Sequence, residues 1–186
     1  MSKLGFFGGC FNPPTIAHMK IVEEAIKEFE LEKLIIIPMG DKYDKKDLIS
    51  FEHRYQMLLK MFENNSKVKI SNMQENQQKR SYAIDSFNFI DEEYRNQERF
   101  FIMGLDNYAN IDKWRAANKL IKNHKFIVFK RNNINIQNDD ENIHFLDIDL
   151  NISSTDVRNK IKKEESLENL LTKEIIEYIH ENELYK

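Results

Sequence analysis

The sequence predicts an α/β protein built around one open, parallel β-sheet with helices on both of its faces. Apolar segments typical of strands alternate with amphipathic segments typical of helices from the first residues to about residue 160, which is the order expected of βαβ units. Several of the strand segments are almost continuously apolar, as expected when helices cover both faces of a parallel sheet. Together these observations indicate a Rossmann-like architecture with a C-terminal helical segment.

Each element is predicted from the spacing of apolar residues along the chain. The strands are predicted at Lys3–Gly8, Lys33–Pro38, Lys67–Ser71, Arg99–Gly104, Lys125–Lys130 and His144–Asp147. The helices between them are predicted over Thr15–Phe29, Phe51–Phe62 and Ser81–Tyr94. The last stretch, Ile152–Tyr185, is predicted to be helical throughout, and Arg131–Asn142, rich in asparagine and aspartate, is predicted to be a surface loop. Because no repeat or domain boundary is visible, we expect residues 1–186 to form a single domain whose helical part begins near residue 152.

The composition excludes several classes of protein. The 186 residues are 41% hydrophobic and 32% charged, which is enough to fill a core and excludes a disordered tail or a collagen-like repeat. A net charge of −3 gives no overall attraction to nucleic acid or to an anionic membrane, and the longest aliphatic cluster, Leu34–Met39, is too short to cross a bilayer. The single cysteine, Cys10, indicates a reducing compartment, and a strand beginning at Lys3 leaves no room for a signal sequence. We therefore expect a cytoplasmic protein.

The first candidate site follows the first predicted strand and reads Gly8-Gly9-Cys10-Phe11-Asn12-Pro13-Pro14-Thr15-Ile16-Ala17-His18. Two glycines allow a backbone conformation and a close ligand approach that side chains would forbid. Thr15 is placed to cap the following helix, and His18 shares the same face of its first turn. Unpaired N–H groups and the positive end of the helix dipole favour phosphate at such a turn. An isolated T-x-x-H is more simply a cap and a partly buried histidine, but the strand–turn–helix setting favours a phosphate site.

The second candidate site begins the C-terminal segment and reads Asn151-Ile152-Ser153-Ser154-Thr155-Asp156-Val157-Arg158. Three consecutive hydroxyl residues predict a helix N-cap, and Asp156 complements the helix dipole. Arg158 follows Ser154 by four residues, so its guanidinium shares a helical face with that hydroxyl and could grip the same phosphate chain. Taken alone, the pattern indicates only a capped helix. Its pairing with the first site makes it specific.

These segments carry a resemblance to a known superfamily. Gly8 to His18 resembles the T/H-x-G-H motif of the nucleotidyltransferases, which stands behind a G-x-F-D-P turn. Asn12 here replaces the usual aspartate, and Ala17 replaces the usual glycine and adds a methyl group where the helix approaches the nucleotide. The segment from Ile152 is similar to the superfamily's I-S-S-T-x-x-R motif. Three further segments resemble the nicotinate-nucleotide adenylyltransferases: Arg80–Asp85, Phe101–Asp106 with Trp114, and Ile176–Tyr185.

The resemblance implies a reaction and a set of site residues. The reaction is transfer of AMP from ATP to nicotinate mononucleotide in NAD biosynthesis, with release of pyrophosphate and with Mg²⁺ bridging ATP oxygens. The catalytic residues would be His18, Thr15 and Arg158. ATP would contact Gly9, Cys10, Phe11, Ser153, Ser154, Thr155, Gly104 and Asp106. The acceptor would contact Lys45, Lys46, Tyr82, Ala83 and Trp114, and no metal ligands of the protein are implied.

Alternative interpretations stay open on the acceptor side. Ala83 stands where a threonine usually helps to hold the pyridine carboxylate, and Asp41–Lys46 replaces the usual P-P-H-K. Nicotinamide mononucleotide, phosphopantetheine and a sugar phosphate are therefore alternative acceptors. Asp106 is also interpretable as a helix cap, Trp114 as a core or subunit-interface residue, and the lysines at 45 and 46 as part of a solvated loop.

A non-catalytic nucleotide sensor or a nucleic-acid-binding protein on the same scaffold is the alternative from another class. The presence of both His18 and Arg158 argues against it, and so does the net acidity. We expect small-molecule partners, namely ATP and a pyridine mononucleotide, with no nucleic acid and no membrane. The sequence leaves a homo-oligomer open.

Overall fold

The structure is a computed structural model that describes residues 2–42, 45, 47–75, 82–131, 140–148 and 152–186. Its strands form one six-stranded sheet in the order β3-β2-β1-β4-β5-β6, and every neighbouring pair is parallel. The strands are β1 (Lys3–Gly9), β2 (Lys33–Pro38), β3 (Val68–Ile70), β4 (Glu98–Gly104), β5 (Lys125–Arg131) and β6 (Ile143–Ile148). The strand order reverses between β1 and β4, which is the position where doubly wound sheets bind ligands. The predicted fold class is confirmed.

The helices follow the strands in the predicted alternation. They are α1 (Ile16–Glu28), α2 (Phe51–Phe62), α3 (Ala83–Glu93), α4 (Leu105–Tyr108), α5 (Ala117–Asn123), α6 (Ser154–Lys162) and α7 (Lys173–Glu181), with a 3₁₀ turn at Ile111–Lys113. The predictions for α1 and α2 agree with the structure to within one residue at each end. The predicted start of α3, Ser81, lies outside the described residues, and the helix is capped by Tyr82. The short α4 and α5 were not predicted.

The core is divided between the two faces of the sheet because successive strand residues point to opposite sides. On one face, α1 and α2 cover an apolar cluster that includes Phe7 and Ile36. On the other face, α3 covers a second cluster that includes Phe6 and Ile37. The two faces therefore meet different helices at the carboxyl end of β1, where the first candidate site begins.

The prediction that Ile152–Tyr185 is helical throughout is wrong. Helix α6 ends at Lys162 and α7 begins at Lys173, and the connection contains Glu164 and Asn169 in the left-handed region, with φ of 55° and 62°. These turns let two leucines of the connection reach the core, so burial overrides the local preference for one long helix. The C-terminal elements then pack as a third cluster against α1 and α2. Most of the predicted loop at 131–142 lies outside the described residues.

Candidate active site

The sequence predicts that two glycines shape the turn after β1, but in the structure another residue bends the chain there. Gly8 and Gly9 remain part of the strand, and neither has a positive φ. The left-handed residue is Phe11, with φ of 48°. A Cβ added to Gly9 would lie 3.0 Å from the Phe11 ring, whereas one added to Gly8 would meet no atom within 4 Å. A side chain at position 9 would therefore crowd the Phe11 ring, which folds back over the strand, whereas no positive φ calls for glycine at this position.

Two carbonyl groups of this turn accept hydrogen bonds from other parts of the protein. These bonds determine the direction of the N–H groups that follow the carbonyls in the chain. The carbonyl of Gly9 accepts a hydrogen bond from the Met39 N–H at 2.9 Å, and that of Cys10 accepts from Nη1 of Arg54 at 3.0 Å. In a trans peptide the N–H points opposite to the C=O. The amides of Cys10 and Phe11 therefore face away from β2 and α2 respectively.

Thr15 and His18 form a locked pair at the start of α1. Thr15 is the N-cap residue, as predicted, and it is also fully buried. Its backbone N–H donates to Nδ1 of His18 at 3.0 Å, and its Oγ1 lies 2.8 Å from the same nitrogen. Because Nδ1 accepts a backbone hydrogen bond, the proton of the neutral ring lies on Nε2. The ring also packs edge-on against Phe11, with centroids 5.2 Å apart.

The first turn of α1 offers fewer free amides than the sequence predicts. The Ile16 N–H donates to the carbonyl of Leu170 in the C-terminal segment at 3.0 Å, and the His18 N–H donates to Thr15 at 2.9 Å. Two of the N–H groups expected to bind phosphate are thus bonded within the protein. Any anion at this turn would depend mainly on the His18 ring and on the loop amides before the helix.

The two motifs at opposite ends of the chain meet at this turn. The hydroxyl of Ser154 donates to the carbonyl of Pro13 at 2.8 Å, and Nη1 of Arg158 donates to the carbonyl of Asn12 at 2.9 Å. A second guanidinium nitrogen of Arg158 lies 3.3 Å from Oγ1 of Thr155. The imidazole of residue 18 and the guanidinium of residue 158 therefore both contact the turn after β1, and Arg158, only 7% exposed, makes its hydrogen bonds to Asn12 and Thr155.

The N-terminus of α6 is capped as predicted. Ser153 accepts a hydrogen bond from the Asp156 N–H at 3.1 Å, and its hydroxyl also donates to the Asp156 carboxylate. Thr155 and Asp156 are exposed. The first turn of α6, which carries the positive end of the helix dipole, therefore lies beside the turn after β1.

A second buried arginine, Arg54 of α2, contacts the turn after β1 through the Cys10 carbonyl and was not predicted from the sequence. It is fully buried, its Nε donates to the carbonyl of Ile49 at 2.9 Å, and its Nη2 pairs with the Asp41 carboxylate at 3.1 Å. Burial lowers the pKa of Arg54 below its ordinary value, and the pairing with Asp41 opposes that shift. A signal was present, because Arg54 lies on the apolar stripe of the helix with Phe51 and Leu58.

A cavity of about 540 Å³ lies at the carboxyl ends of β1, β2 and β4, on the face covered by α3. It is lined by three residues predicted for the acceptor side, Tyr82, Ala83 and Trp114. It also reaches Gly8, which leads into the turn described above. Lys113 and Arg115 contribute the charged side chains, and among the described residues no carboxylate lines the cavity. The guanidinium of Arg115 lies over the ring of Tyr82, 5.5 Å from its centroid.

A larger cavity of about 830 Å³ lies beside the first, between β2, β3 and α3. It shares Tyr82 and Arg115 with the smaller one but is not lined by Gly8, Ala83 or Trp114. The smaller cavity is therefore the one that combines the predicted acceptor residues with the end of β1.

Gly104 and Asp106 lie where β4 passes into α4. Gly104 is the N-cap residue of that helix, and a Cβ there would lie 3.1 Å from the ring of Phe129 and would crowd it. Asp106 lies in the first turn of α4 and is exposed. It is not the cap of the helix, so the alternative interpretation of Asp106 as a cap is wrong.

The remaining residues singled out in the sequence are the two lysines at 45 and 46 and Ala17. Lys45 is exposed, and Lys46 lies outside the described residues. The methyl group of Ala17 was expected near the nucleotide, but the residue is 2% exposed and packs with Met57 and Val157 in the C-terminal cluster. That expectation is wrong, because this side of α1 packs into the C-terminal cluster.

Two general properties complete the description. Within the described ranges, no group of three or more histidine, cysteine, aspartate and glutamate side chains is arranged to hold a metal ion. No helix in the part of the chain that the structure describes is both long enough and apolar enough to span a membrane.

Comparison with known proteins identifies the family. The model of the family described as cytidylyltransferase-like matches residues 6–160 of this chain, which include the end of β1, the other five strands of the sheet and both candidate motifs. The chain belongs to the cytidylyltransferase-like family.

Its resemblance to the nicotinate-nucleotide adenylyltransferases is also confirmed. A protein of Fusobacterium nucleatum subsp. nucleatum, named probable nicotinate-nucleotide adenylyltransferase, is 36% identical over 182 residues that cover 93% of this chain and 94% of that protein. A protein of the same name from Clostridium acetobutylicum is 34% identical and covers 100% of both chains. Among solved structures, Plasmodium falciparum nicotinic acid mononucleotide adenylyltransferase complexed with NaAD matches with a TM-score of 0.85, covering 100% of this chain and 98% of that chain at 23% identity. This last likeness shows that the fold of this cytidylyltransferase-like chain is shared.

Proposed function

We propose that this protein is an adenylyltransferase that moves the AMP group of ATP onto the phosphate of nicotinate mononucleotide and releases pyrophosphate. An oxygen of the acceptor phosphate attacks the α-phosphorus of ATP and forms a new P–O bond. The bond from that phosphorus to the oxygen leading to the β-phosphate breaks, and its electron pair leaves with pyrophosphate. Because the acceptor phosphate is already an anion, the protein needs no strong base. Its task is to align two anions and stabilise the charge at the α-phosphate.

The observation that carries the proposal is the cavity at the carboxyl ends of β1, β2 and β4. Its aromatic wall, with Trp114 and Tyr82, suits a flat pyridine ring, and Ala83 leaves room beside it. Its charged lining in the described structure consists of Lys113 and Arg115, which favours an acceptor with a carboxylate over one with a neutral amide. The names of the Fusobacterium and Clostridium relatives support the same acceptor.

His18 is proposed to stabilise the α-phosphate. Nδ1 is occupied by the Thr15 backbone N–H, so the ring would offer its Nε2–H to a phosphate oxygen. The amides of Gly9, Cys10 and Phe11 would line the same position, and the carbonyl bonds to β2 and α2 hold two of these amides in place. Thr15 supports the reaction by fixing the orientation of the ring.

The start of α6 is proposed to hold the leaving pyrophosphate. Ser153, Ser154 and Thr155 place hydroxyls and first-turn amides there, and the helix dipole favours an anion. Arg158 would add positive charge, while its bond to Asn12 keeps α6 against the turn.

The other predicted contacts complete the site. Asp106, exposed beyond β4, would accept hydrogen bonds from ribose hydroxyls, with the backbone of Gly104 beside it. Lys45 and Lys46 would act as cations over the phosphates. Mg²⁺ would arrive as part of the ATP substrate, carried on the phosphate oxygens.

The test is pyrophosphate release with a panel of acceptors. Nicotinate mononucleotide, nicotinamide mononucleotide and phosphopantetheine are compared at equal concentration with ATP and Mg²⁺. We expect nicotinate mononucleotide to give the highest kcat/KM. A preference for phosphopantetheine would refute the proposed acceptor but would agree with the proposed reaction type. If none of the acceptors gave pyrophosphate release, both the acceptor and the reaction type would be refuted.

The Arg115→Gln variant tests the carboxylate contact separately. Loss of a hydrogen bond to a charged group should raise the KM for nicotinate mononucleotide roughly tenfold. Turnover of nicotinamide mononucleotide should change little. The Lys119→Gln variant, an exposed change on the following helix α5, serves as the control for a lost positive charge outside the cavity.

A further inference from the structure

Asn12 joins four segments of the chain and is only 1% exposed. Its Nδ2 donates to the carbonyl of Asp47 at 2.8 Å, and its Oδ1 accepts from the Ile49 N–H at 3.3 Å. The same Oδ1 accepts from the hydroxyl of Tyr185 at 3.0 Å, and the carbonyl of Asn12 accepts from Arg158. One side chain thus connects the turn after β1, the loop before α2 and the end of the chain.

The amide of Asn12 fits this position better than the carboxylate usual in the resembled motif. The contact with the Asp47 carbonyl needs a donor, which an ionised aspartate does not have. An aspartate would set a charged oxygen against that carbonyl oxygen instead. The loop at 47–49 is therefore attached to the turn through the asparagine amide.

The hydroxyl of Tyr185 is held in place to donate to Asn12. Tyr185 is 8% exposed and adopts a left-handed conformation, with φ of 66°. The preceding residue is also fixed, because the Leu184 N–H donates to the Ile179 carbonyl at 3.1 Å. Burial raises the pKa of Tyr185 above its ordinary value, although Arg54 and Arg158 oppose the shift. The phenol thus keeps its proton and donates it to Oδ1 of Asn12.

We propose that Tyr185 is a positioning residue for the reaction, acting through Asn12. The Asn12–Tyr185 pair sets the geometry of the turn that ends in Thr15 and His18, and of the loop at 47–49. This inference rests on the proposed function. The acceptor cavity lies on the other face of the sheet from α1 and α2, so the pair should affect alignment at the α-phosphate more than acceptor binding.

The experiment compares Tyr185→Phe with Tyr178→Phe. The hydroxyl of Tyr178 also joins the C-terminal segment to α2, since it lies 3.0 Å from Nδ1 of His53, but it does not reach the turn. We expect Tyr185→Phe to lower kcat roughly tenfold with the KM for nicotinate mononucleotide within about twofold. Hydrogen exchange of the Ile49 amide should also become faster. Tyr178→Phe should change neither quantity.

The Asn12→Asp variant provides a second test that removes the donor to Asp47 and keeps both acceptor contacts. This variant should also speed hydrogen exchange of the Ile49 amide. When it is combined with Tyr185→Phe, the two losses in kcat should not add, because both changes act on the same contact between Asn12 and Tyr185 and its neighbours. If Tyr185→Phe matches Tyr178→Phe in kcat and in exchange, the inference is overturned. If the unaltered protein transfers AMP to no acceptor, the proposed function fails. If the exchange rate of the Ile49 amide is unchanged in both Tyr185→Phe and Asn12→Asp, the inference that Asn12 and Tyr185 hold the loop at 47–49 is overturned.

Discussion

Replacing His18 with alanine tests the contact that we propose between its ring N–H and the α-phosphate of ATP. The structure fixes that ring at three points: the Thr15 N–H at 3.0 Å from Nδ1, Oγ1 of Thr15 at 2.8 Å, and the Phe11 ring at 5.2 Å between centroids. A donor held in this way is already oriented before the transition state forms. Loss of one such contact typically lowers kcat by about 10²–10³, or about 2.7–4 kcal/mol. We expect His18→Ala to fall in that range.

The variant should remain folded, because the ring is only half-buried and its loss removes mainly one side-chain cap, worth about 1 kcal/mol. The assay measures the rate of pyrophosphate release while one substrate is varied at a saturating concentration of the other. Urea denaturation checks that the variant is folded. His144→Ala is the matched control, since His144 also packs against two aromatic rings, Phe29 at 5.6 Å and Phe100 at 5.7 Å, but lies on the edge strand β6. A folded His18→Ala enzyme with kcat within a factor of about three of the His144→Ala control would refute the assignment.

Three further results are expected. Trp114 is the single tryptophan, so binding of nicotinate mononucleotide should change the intrinsic fluorescence, and Trp114→Ala should raise the KM for this acceptor about 3- to 10-fold, as loss of an aromatic stacking contact does. Ser154→Ala removes the hydrogen bond to the Pro13 carbonyl and should lower the free energy of unfolding in urea by about 1 kcal/mol. Burial lowers the pKa of His144 below its ordinary value near 6.5, and the Lys125 charge adds to the shift. The unfolded chain therefore binds more protons between the two pKa values, so stability is fully present above about pH 6.5 and falls as the pH drops toward the folded-state pKa. His144→Phe should flatten that slope in denaturation curves recorded at several pH values, and an unchanged slope would contradict the interpretation.

Both motifs were found from the sequence because their signals are local. A strand, a glycine-containing turn and a capped helix are specified within a few residues, and the caps at Thr15 and Ser153 are where the sequence predicts them. The short α4 and α5 were missed because four and seven residues are too few to show a helical period.

Other features of the site depend on contacts between distant parts of the chain. Arg158 was predicted to face a phosphate, and the structure gives it the Asn12 carbonyl, 146 positions away, as a partner. Arg54 escaped notice because its partners at Cys10 and Asp41 lie on other elements. The methyl group of Ala17 packs in the C-terminal cluster, whose other members come from distant parts of the chain such as Met57 and Val157.

The amino-acid order alone determined the sheet, its parallel direction and the two helix starts capped by Thr15 and Ser153, since hydrophobic period and capping act over one or two turns of backbone. Only the folded chain decided which carbonyl groups the buried arginines occupy, which side chains surround the cavity, and that the tyrosine 173 positions from Asn12 would contact it. The reason is physical: burial removes polar groups from water, and each must then take whatever partner the packing of distant segments brings within reach.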